Sequence, residues 1–556
     1  MNQFLQKNHR LLFYGCWLLL GIFQSGLTEL QDDEAYYWVY GQYLDWGYFD
    51  HPPMIGLLVK MGYSIFPNEL GVRLFPLLLH VLSLVIIEKL TSKKNPYLFY
   101  VIALSIAVLQ VSGFAAVPDI PLIFFTALFF LCYKRFVNSY TIGTALLLGI
   151  SMTLLFYSKY HAVLIIFFTF LSNIRLVTRY QAWIAVITAL ALFAPHLWWQ
   201  YQHDWVSFRY HLFESNVNAY KFSFTGDYII GQLLLPGPIA GFLLLPAAFL
   251  YRPVDSMEKA LKYTLVGIYV FFLLSSFRGK VEANWTSPVM VPLIILAHQY
   301  ILEKLKWQKI LLRLLPITLL LVVFARCAMI ADFIPVNEIK KRYHSWNTWP
   351  AQIKAATNGL PVVFSNSYQR ASKYWFYAGQ MTYSQNWYRE RQNNYNFWPV
   401  EDSMLGKPFY FLDKYQLARF TDSIHTPIGW VGYRYDSSLL SFAKIKFVLP
   451  QNNLDWQTGQ RGVLEGEVKM PELYRQFLLG HPISNDTIRI GLFSKKKGWV
   501  ADYFTLLRLN ELARKPNFKT DFSTDLPSGE YYLRFSINVG INNPTHNSDK
   551  IKLNIK

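Results

Sequence analysis

Between residues 11 and 331 the chain alternates long apolar runs with short polar connections. The runs are about 17 to 22 residues long, enough to carry a helix across roughly 30 Å of hydrocarbon. They predict eleven spans, at 11–27, 70–90, 96–114, 120–136, 141–157, 160–176, 181–199, 228–250, 263–277, 286–302 and 309–331. Thr28-Glu29-Leu30 follows the first run with no small-residue cleavage site, so that run is expected to be a retained helix. In the connection 28–69, Glu34 to Leu44 reads as an amphipathic helix, with Tyr37, Tyr40, Gly41 and Leu44 at helical spacing. Pro52-Pro53 opens a second short helix, since proline is tolerated in a first turn. Both are expected to lie in the plane of the interface.

After Ala331 the pattern changes to that of a soluble protein. Pro361 to Asn366 and Pro408 to Leu412 read as buried strands, with a helix from Ser367 to Gly379 between them. They predict a small α/β domain over 332–435. From 436 to 556 the periodicity becomes strand-like, at 443–449, 462–468, 487–493, 531–538 and 551–555, which predicts a β-sandwich-like module. It binds carbohydrate or acceptor, or braces the membrane domain 1–331; no site constellation in it chooses between these.

Composition agrees with a membrane body. Of 556 residues, 53% are hydrophobic and only 16% charged. With the N-terminus inside, each inner connection is basic: Lys7 and Arg10, Lys89 to Lys94, Lys134-Arg135, Arg175 and Arg179, Arg252 to Lys262, and Lys304 to Lys309. The net charge of +18 then reflects topology and contact with membrane lipids rather than nucleic acid, for which no module is present. An odd number of spans puts the region after 332 outside. Cys16, Cys132 and Cys327 all fall within spans, so no disulfide is expected.

The outer connections collect the chemistry. After the first span come Asp32, Asp33 and Glu34, then Asp50 and His51. Asp119 sits between two prolines, and Lys159 and Tyr160 join the fifth and sixth spans. Arg278, Lys280, Glu282, Asn284 and Trp285 fall between the ninth and tenth. Any one such charge is commonly an interfacial anchor. Together they make a pocket in which carboxylates can take a proton from a hydroxyl or amine and cations can hold a phosphate.

Asp33-Glu34, Tyr48-Phe49-Asp50-His51-Pro52-Pro53, Pro118-Asp119, Ser158-Lys159-Tyr160, Trp198 to Phe208 and Lys280 to Trp285 occur in this order over residues 10 to 330. In them the chain resembles the bacterial membrane glycosyltransferases related to protein O-mannosyltransferases and the aminoarabinose transferase of lipid A. The resemblance implies a GT-C fold in the bacterial inner membrane, with the active site and C-terminal region facing the periplasm. It also implies inverting transfer of a sugar from a polyprenyl-phosphate donor to a periplasmic acceptor, whether glycolipid, glycan or protein. Asp33 matches the general base, Asp119 a second acid that orients acceptor or sugar, and Glu34 accompanies the base. Donor phosphate contact is expected from Lys159, Arg278 and Lys280. His51 stands where the aminoarabinose transferase has a lysine, and can replace it only as a protonated group, a neutral donor or a metal ligand. Asp32, Asp50, Tyr160, Glu282, Asn284 and Trp285 are assigned to substrate binding. Asp32 either raises the base's pKa by like-charge repulsion or complements the helix N-terminus. No metal ligand set is assigned, and a divalent ion stays open as a cofactor.

Two other classes compete with a transferase. A flippase of lipid-linked sugars would carry ionisable groups near the midplane and broken helices in repeated halves. An envelope scaffold would leave Asp33 and Asp119 dispensable.

Overall fold

The computed structural model describes residues 2–214, 220–417, 420, 422–427, 429–494, 498–523 and 525–556. It divides into two compact units, Met1–His344 and Ser345–Lys556.

The first unit is helical: α1 (Asn2–Leu27), α2 (Asp32–Gln42), α3 (Met54–Tyr63), α4 (Glu69–Leu90), α5 (Pro96–Ser105), α6 (Ala107–Val111), α7 (Asp119–Asn138) and α8 (Ile142–Ser158). It continues with α9 (Ala162–Ser172), α10 (Tyr180–Gln202), α11 (Val206–Arg209), α12 (Phe222–Leu234), α13 (Gly241–Leu250), α14 (Ser256–Ser275), α15 (Met290–Leu302) and α16 (Leu305–Ile330). Among the described residues six segments are long and apolar enough to cross a membrane: Gln6–Leu27, Glu69–Leu90, Asp119–Asn138, Tyr180–Gln202, Ala283–Leu302 and Leu305–Ile330. Five more apolar helices have 10–17 residues.

Three expected spans are interrupted, one of them, 160–176, at Asn173, where α9 gives way to a 3-10 turn. The span at 96–114 breaks at Ile106, and that at 228–250 breaks at Pro236-Gly237-Pro238, where two prolines remove helical donors. These last two breaks meet. Gly237 has φ +116°, and a Cβ there would lie 3.0 Å from the carbonyl oxygen of Ser105, so only glycine suits the position. Close approach also fixes α3 on α4, because a Cβ on Gly62 would lie 2.1 Å from the carbonyl oxygen of Gly71.

One expectation about the first connection changes. Helices α2 and α3 exist, but α2 is not amphipathic, because every residue from Glu34 to Gly41 is buried. The tyrosines count as half-polar in a sequence pattern. Here their rings pack inward and their hydroxyls find internal partners: Tyr36 donates to Asp50 and Tyr48 to the carbonyl of Tyr40.

The helix ends sort by charge. Arg10 pairs with Glu88 at 2.8 Å, Lys93 pairs with Glu303, and Ser92 donates to Glu258 at 2.8 Å. These join the start of α1, the end of α4, and the ends of α14 and α15 that face them. The opposite ends of the same helices carry the candidate site.

The second unit begins with a mixed sheet of β1 (Val362–Ser365), β2 (Tyr383–Gln385), β3 (Phe409–Asp413), β4 (Asp422–Thr426) and β5 (Gly429–Asp436), in the order β2-β1-β3-β5-β4. β1 pairs in parallel with β2 and β3, and the helix Tyr368–Ala378 makes the crossover. Two further sheets follow, built from β6 (Lys446–Val448), β7 (Asn453–Trp456), β8 (Arg461–Lys469), β9 (Asp486–Ser494), β10 (Gly498–Phe504), β11 (Asn517–Ser523), β12 (Gly529–Val539) and β13 (Ile551–Ile555). Their orders are β10-β9-β12-β13-β7 and β11-β8-β6. Phe447 stacks on Phe535 at 4.8 Å and Phe518 meets both rings, so the two sheets share one aromatic core. Within this unit Asn543 donates to Ser365 and to the carbonyl of Gln385, which ties the sandwich to the parallel edge of the first sheet.

Candidate active site

Two carboxylate–cation pairs stand at the site end of the helical unit. In the first, Arg73 of α4 holds Glu34 of α2. Its Nε and Nη2 donate to Glu34 Oε1 and Oε2 at 2.8 and 2.6 Å. Nη1 donates to the carbonyls of Ser25 and Thr28, and Nη2 also to that of Glu29. The backbone amides of Gln31 and Ala116 donate to the same carboxylate, at 2.9 and 2.8 Å. Both side chains are fully buried. Enclosure by itself raises the Glu34 pKa, but Arg73 and the two amides outweigh it and hold the acid below its ordinary value. The pair fastens the end of α1, the start of α2 and the segment before α7 to one point.

The second pair is more open. Lys159, at the C-terminal end of α8, donates to Asp119 Oδ1 at 2.8 Å. Ser287 donates to the same oxygen at 2.6 Å, and Asn284 to Oδ2 at 3.1 Å. Ser287 and Asn284 lie on the 3-10 turn Ala283–Val289, which precedes α15. The two side chains retain 7% and 13% exposure, against zero for the first pair.

His51 stands beside this group. Burial, with Lys159 and His211 adding positive charge nearby, pushes its pKa well below the ordinary histidine value. It is therefore neutral at pH 7. Its ring meets Tyr37 edge-on at 5.7 Å, and Tyr37 is on α2 one helical turn after Asp33. Asp50 accepts from the hydroxyl of Tyr36 at 3.0 Å, and the Asp50 carbonyl lies 3.0 Å from His211 Nε2. The Tyr160 hydroxyl accepts from Gln200 at 3.0 Å and lies 3.3 Å from His196, with its ring 5.4 Å from His211. After α10 the chain turns through two residues of positive φ, Asp204 and Trp205. For tryptophan that conformation is strained. It brings Ser207 onto the Tyr48 carbonyl at 2.8 Å, and the segment goes on to His211.

Asp32 and Asp33 are exposed in the first turn of α2, where the helix dipole favours negative charge. Trp285 packs its ring against His161 at 5.6 Å. Arg278 is exposed, and Lys280 is spent on Glu282 at the surface, 2.9 Å away. Four segments thus bring Asp119, Lys159, His51, Asn284, Asp50 and Tyr160 together, whereas Arg278, Lys280 and Glu282 stay on the rim. Among the described residues no group of three or more His, Cys, Asp or Glu side chains is placed to hold a metal ion.

The sequence reading missed Arg73, Tyr36, Tyr37, Ser287 and His211 as site residues. Arg73 had a signal: it is an arginine inside an apolar span, where a charge is costly unless another group or backbone carbonyls satisfy it. Ser287 and His211 had none, because their roles depend on chain segments that meet only in the fold.

A polytopic helical body with an acid–cation site at one end, followed in sequence by a β-rich unit, is similar in fold to solved membrane glycosyltransferases, and part of the chain is similar in sequence to that class. The family described as dolichyl-phosphate-mannose-protein mannosyltransferase matches residues 50–199, which include Asp50, His51, Asp119, Lys159 and Tyr160. The lipid A galacturonosyltransferase RgtD of Rhizobium johnstonii is 28% identical over 303 residues, 51% of this chain and 62% of that protein. The match therefore spans less than two thirds of that relative. The fold is similar to that of ArnT from Cupriavidus metallidurans in the apo state, with TM-score 0.59 and 13% identity, covering 77% of this chain and 98% of that one. The same protein bound to undecaprenyl phosphate gives TM-score 0.56 and 14% identity, covering 76% and 97%.

Proposed function

We propose that this protein transfers a sugar from a polyprenyl-phosphate donor to a glycolipid acceptor at the periplasmic face of a bacterial inner membrane. The observation that carries the reading is the Asp119–Lys159 pair, semi-open beside a neutral His51 and one packing layer from the turn of α2 that bears Asp33. Asp33 is the general base. It takes the proton of the acceptor hydroxyl or amine as that atom bonds to the anomeric carbon. The carbon–oxygen bond to phosphate breaks on the opposite face, and its electron pair leaves with the polyprenyl phosphate. The configuration inverts. That leaving group is stable as an anion, so cations and donors suffice and no strong acid is needed.

Lys159 holds the departing phosphate, with His51 assisting as a neutral hydrogen-bond donor. Asp119 positions the Lys159 ammonium together with Ser287 and Asn284. Arg278 and Lys280, on the rim, attract the donor rather than bind it. Tyr160 and Asp50 line the sugar subsite, with Trp285 and Glu282 at its edge. Glu34 acts on structure: its oxygens are taken up by Arg73 and two backbone amides, so it orients α2 and through it Asp33. Asp32 adds charge at the same helix start. A glycolipid acceptor is favoured because the curated relative is named for lipid A.

The test is transfer of radiolabelled sugar from a polyprenyl-phosphate donor to extracted glycolipid, with the purified full chain and its Asp33→Asn variant. Loss of transfer with unchanged donor binding is expected. Full activity in the variant overturns the mechanism.

A further inference from the structure

A second site lies away from the Asp119 pocket, on the flank of the helical unit. A cavity of about 350 Å³ is lined by Leu12, Cys16, Trp17 and Leu20 of α1, by Leu104 and Gln110 at the α5–α6 break, and by Arg326 of α16. Leu12, Cys16 and Leu20 repeat every four residues and so form one stripe of α1, about 12 Å long by helical rise. All three are exposed, so the cavity is open along its side as a groove.

Its polar end is unusual. Arg326 is half-buried near the end of α16 and donates only to backbone: Nε and Nη2 to the Gln110 carbonyl, and Nη1 to that of Leu20. No carboxylate among the described residues pairs with it. The contrast with Arg73, also near a helix end at this face, is direct: Arg73 has Glu34. The neighbouring polar group is no counter-ion either, because Gln110 spends its amide on the Leu104 carbonyl that the helix break leaves without a partner. A guanidinium near the end of a membrane helix that is held by carbonyls alone keeps a positive charge that no anion compensates. The groove continues from it as a strip of aliphatic, thiol and indole surface.

We infer that this groove is a binding site for an anionic phospholipid, with the lipid phosphate on Arg326 and one acyl chain along Leu20, Cys16 and Leu12. The chemistry of the groove selects that occupant. The apolar strip parallels α1 and so runs along the direction of lipid chains, and the one cation is at the end where a headgroup sits. The carbonyl bonds fix the guanidinium in place while leaving it a full positive charge. Gln24, one turn beyond Leu20, donates to the Arg326 carbonyl at 3.3 Å and to Thr28 at 2.8 Å, and Thr28 in turn gives its carbonyl to Arg73. An occupant is thereby linked through the end of α1 to the clamp that carries α2.

The full chain, purified in mild detergent and analysed by native mass spectrometry, is expected to retain phosphatidylglycerol over phosphatidylcholine. Arg326→Gln is expected to lower phosphatidylglycerol retention about fivefold, the effect of one cation at an anionic lipid. Leu20→Trp fills the strip and is expected to do the same with the cation intact. A second measurement needs neither variant. In a Cys327→Ser background, where Cys132 is buried, phosphatidylglycerol is expected to slow Cys16 alkylation, while phosphatidylcholine and inorganic phosphate are not. Equal retention of the two lipids, retention unaltered in both variants, protection by phosphate alone, or Cys16 alkylation indifferent to phosphatidylglycerol would each overturn the assignment.

Discussion

Glu34–Arg73 and Asp119–Lys159 are each a carboxylate and a cation at the same end of the helical unit, yet they are built differently. Glu34 receives two guanidinium bonds and two backbone amides and has no exposure. Asp119 receives one ammonium, one hydroxyl and one amide from side chains, and the pair keeps a little exposure beside His51. A saturated, dry pair can only hold elements together. A pair made from side chains at the edge of a pocket can exchange partners with a substrate. Identity of charge and proximity to the membrane do not separate these two roles; saturation does.

The largest expected effect breaks the link from clamp to chemistry. Asp33→Asn should lower kcat by roughly 10²- to 10⁴-fold, the usual worth of a general base. Its melting temperature in detergent should match that of the parent. Next comes the clamp itself. Arg73→Met leaves a buried carboxylate unpaired and should cost about 3–5 kcal/mol of stability. Thermal unfolding checks this, with activity lost in proportion to folded protein. If Arg73→Met instead melted normally and lost only kcat, the division drawn between the two pairs would fail.

Lys159→Met should act mainly on the donor, raising its KM about tenfold or more through loss of one charge-assisted bond, while melting falls less than for Arg73→Met because Ser287 and Asn284 still donate to the partly exposed Asp119. Titrating donor at fixed acceptor separates KM from kcat. A smaller effect is expected from pH. The folded His51 imidazole binds a proton less tightly than the unfolded one. Below about pH 6.5 the unfolded chain therefore takes up more protons, and stability falls as pH drops through that value. His51→Asn should lessen, without abolishing, the fall in melting temperature between pH 7 and about pH 5.5, since His161 and His546 are also held below the ordinary histidine value. The smallest effect belongs to the rim. Lys280→Ala removes a surface pair of little worth and should change kcat/KM by less than about threefold at physiological salt.

The helical body followed by a β-rich region was legible in the sequence because burial in a membrane leaves long apolar runs and sheets leave a two-residue period. Acids and cations were likewise legible as a set, since Asp119, Lys159 and Asp50 stand out in the connections between apolar runs. The burial of α2 from Glu34 to Gly41 was not, because tyrosines that hydrogen-bond inside a protein look the same in sequence as tyrosines that face water. Nor was the break at Ile106, an isoleucine with no breaking tendency, although Pro236-Gly237-Pro238 announced its counterpart.

By itself, then, the sequence determined that the chain is a polytopic helical protein with a β-rich C-terminal unit, and which ionisable residues fall at helix ends. Only the tertiary structure decided how those residues are used. It set Glu34 against Arg73 and Asp119 against Lys159, and it left Arg326 with carbonyls alone. Hydrophobic patterning is a property of neighbours along the chain, whereas the pairing of a charge depends on which distant helix ends meet, and in a low-dielectric body that pairing fixes what the charge can do.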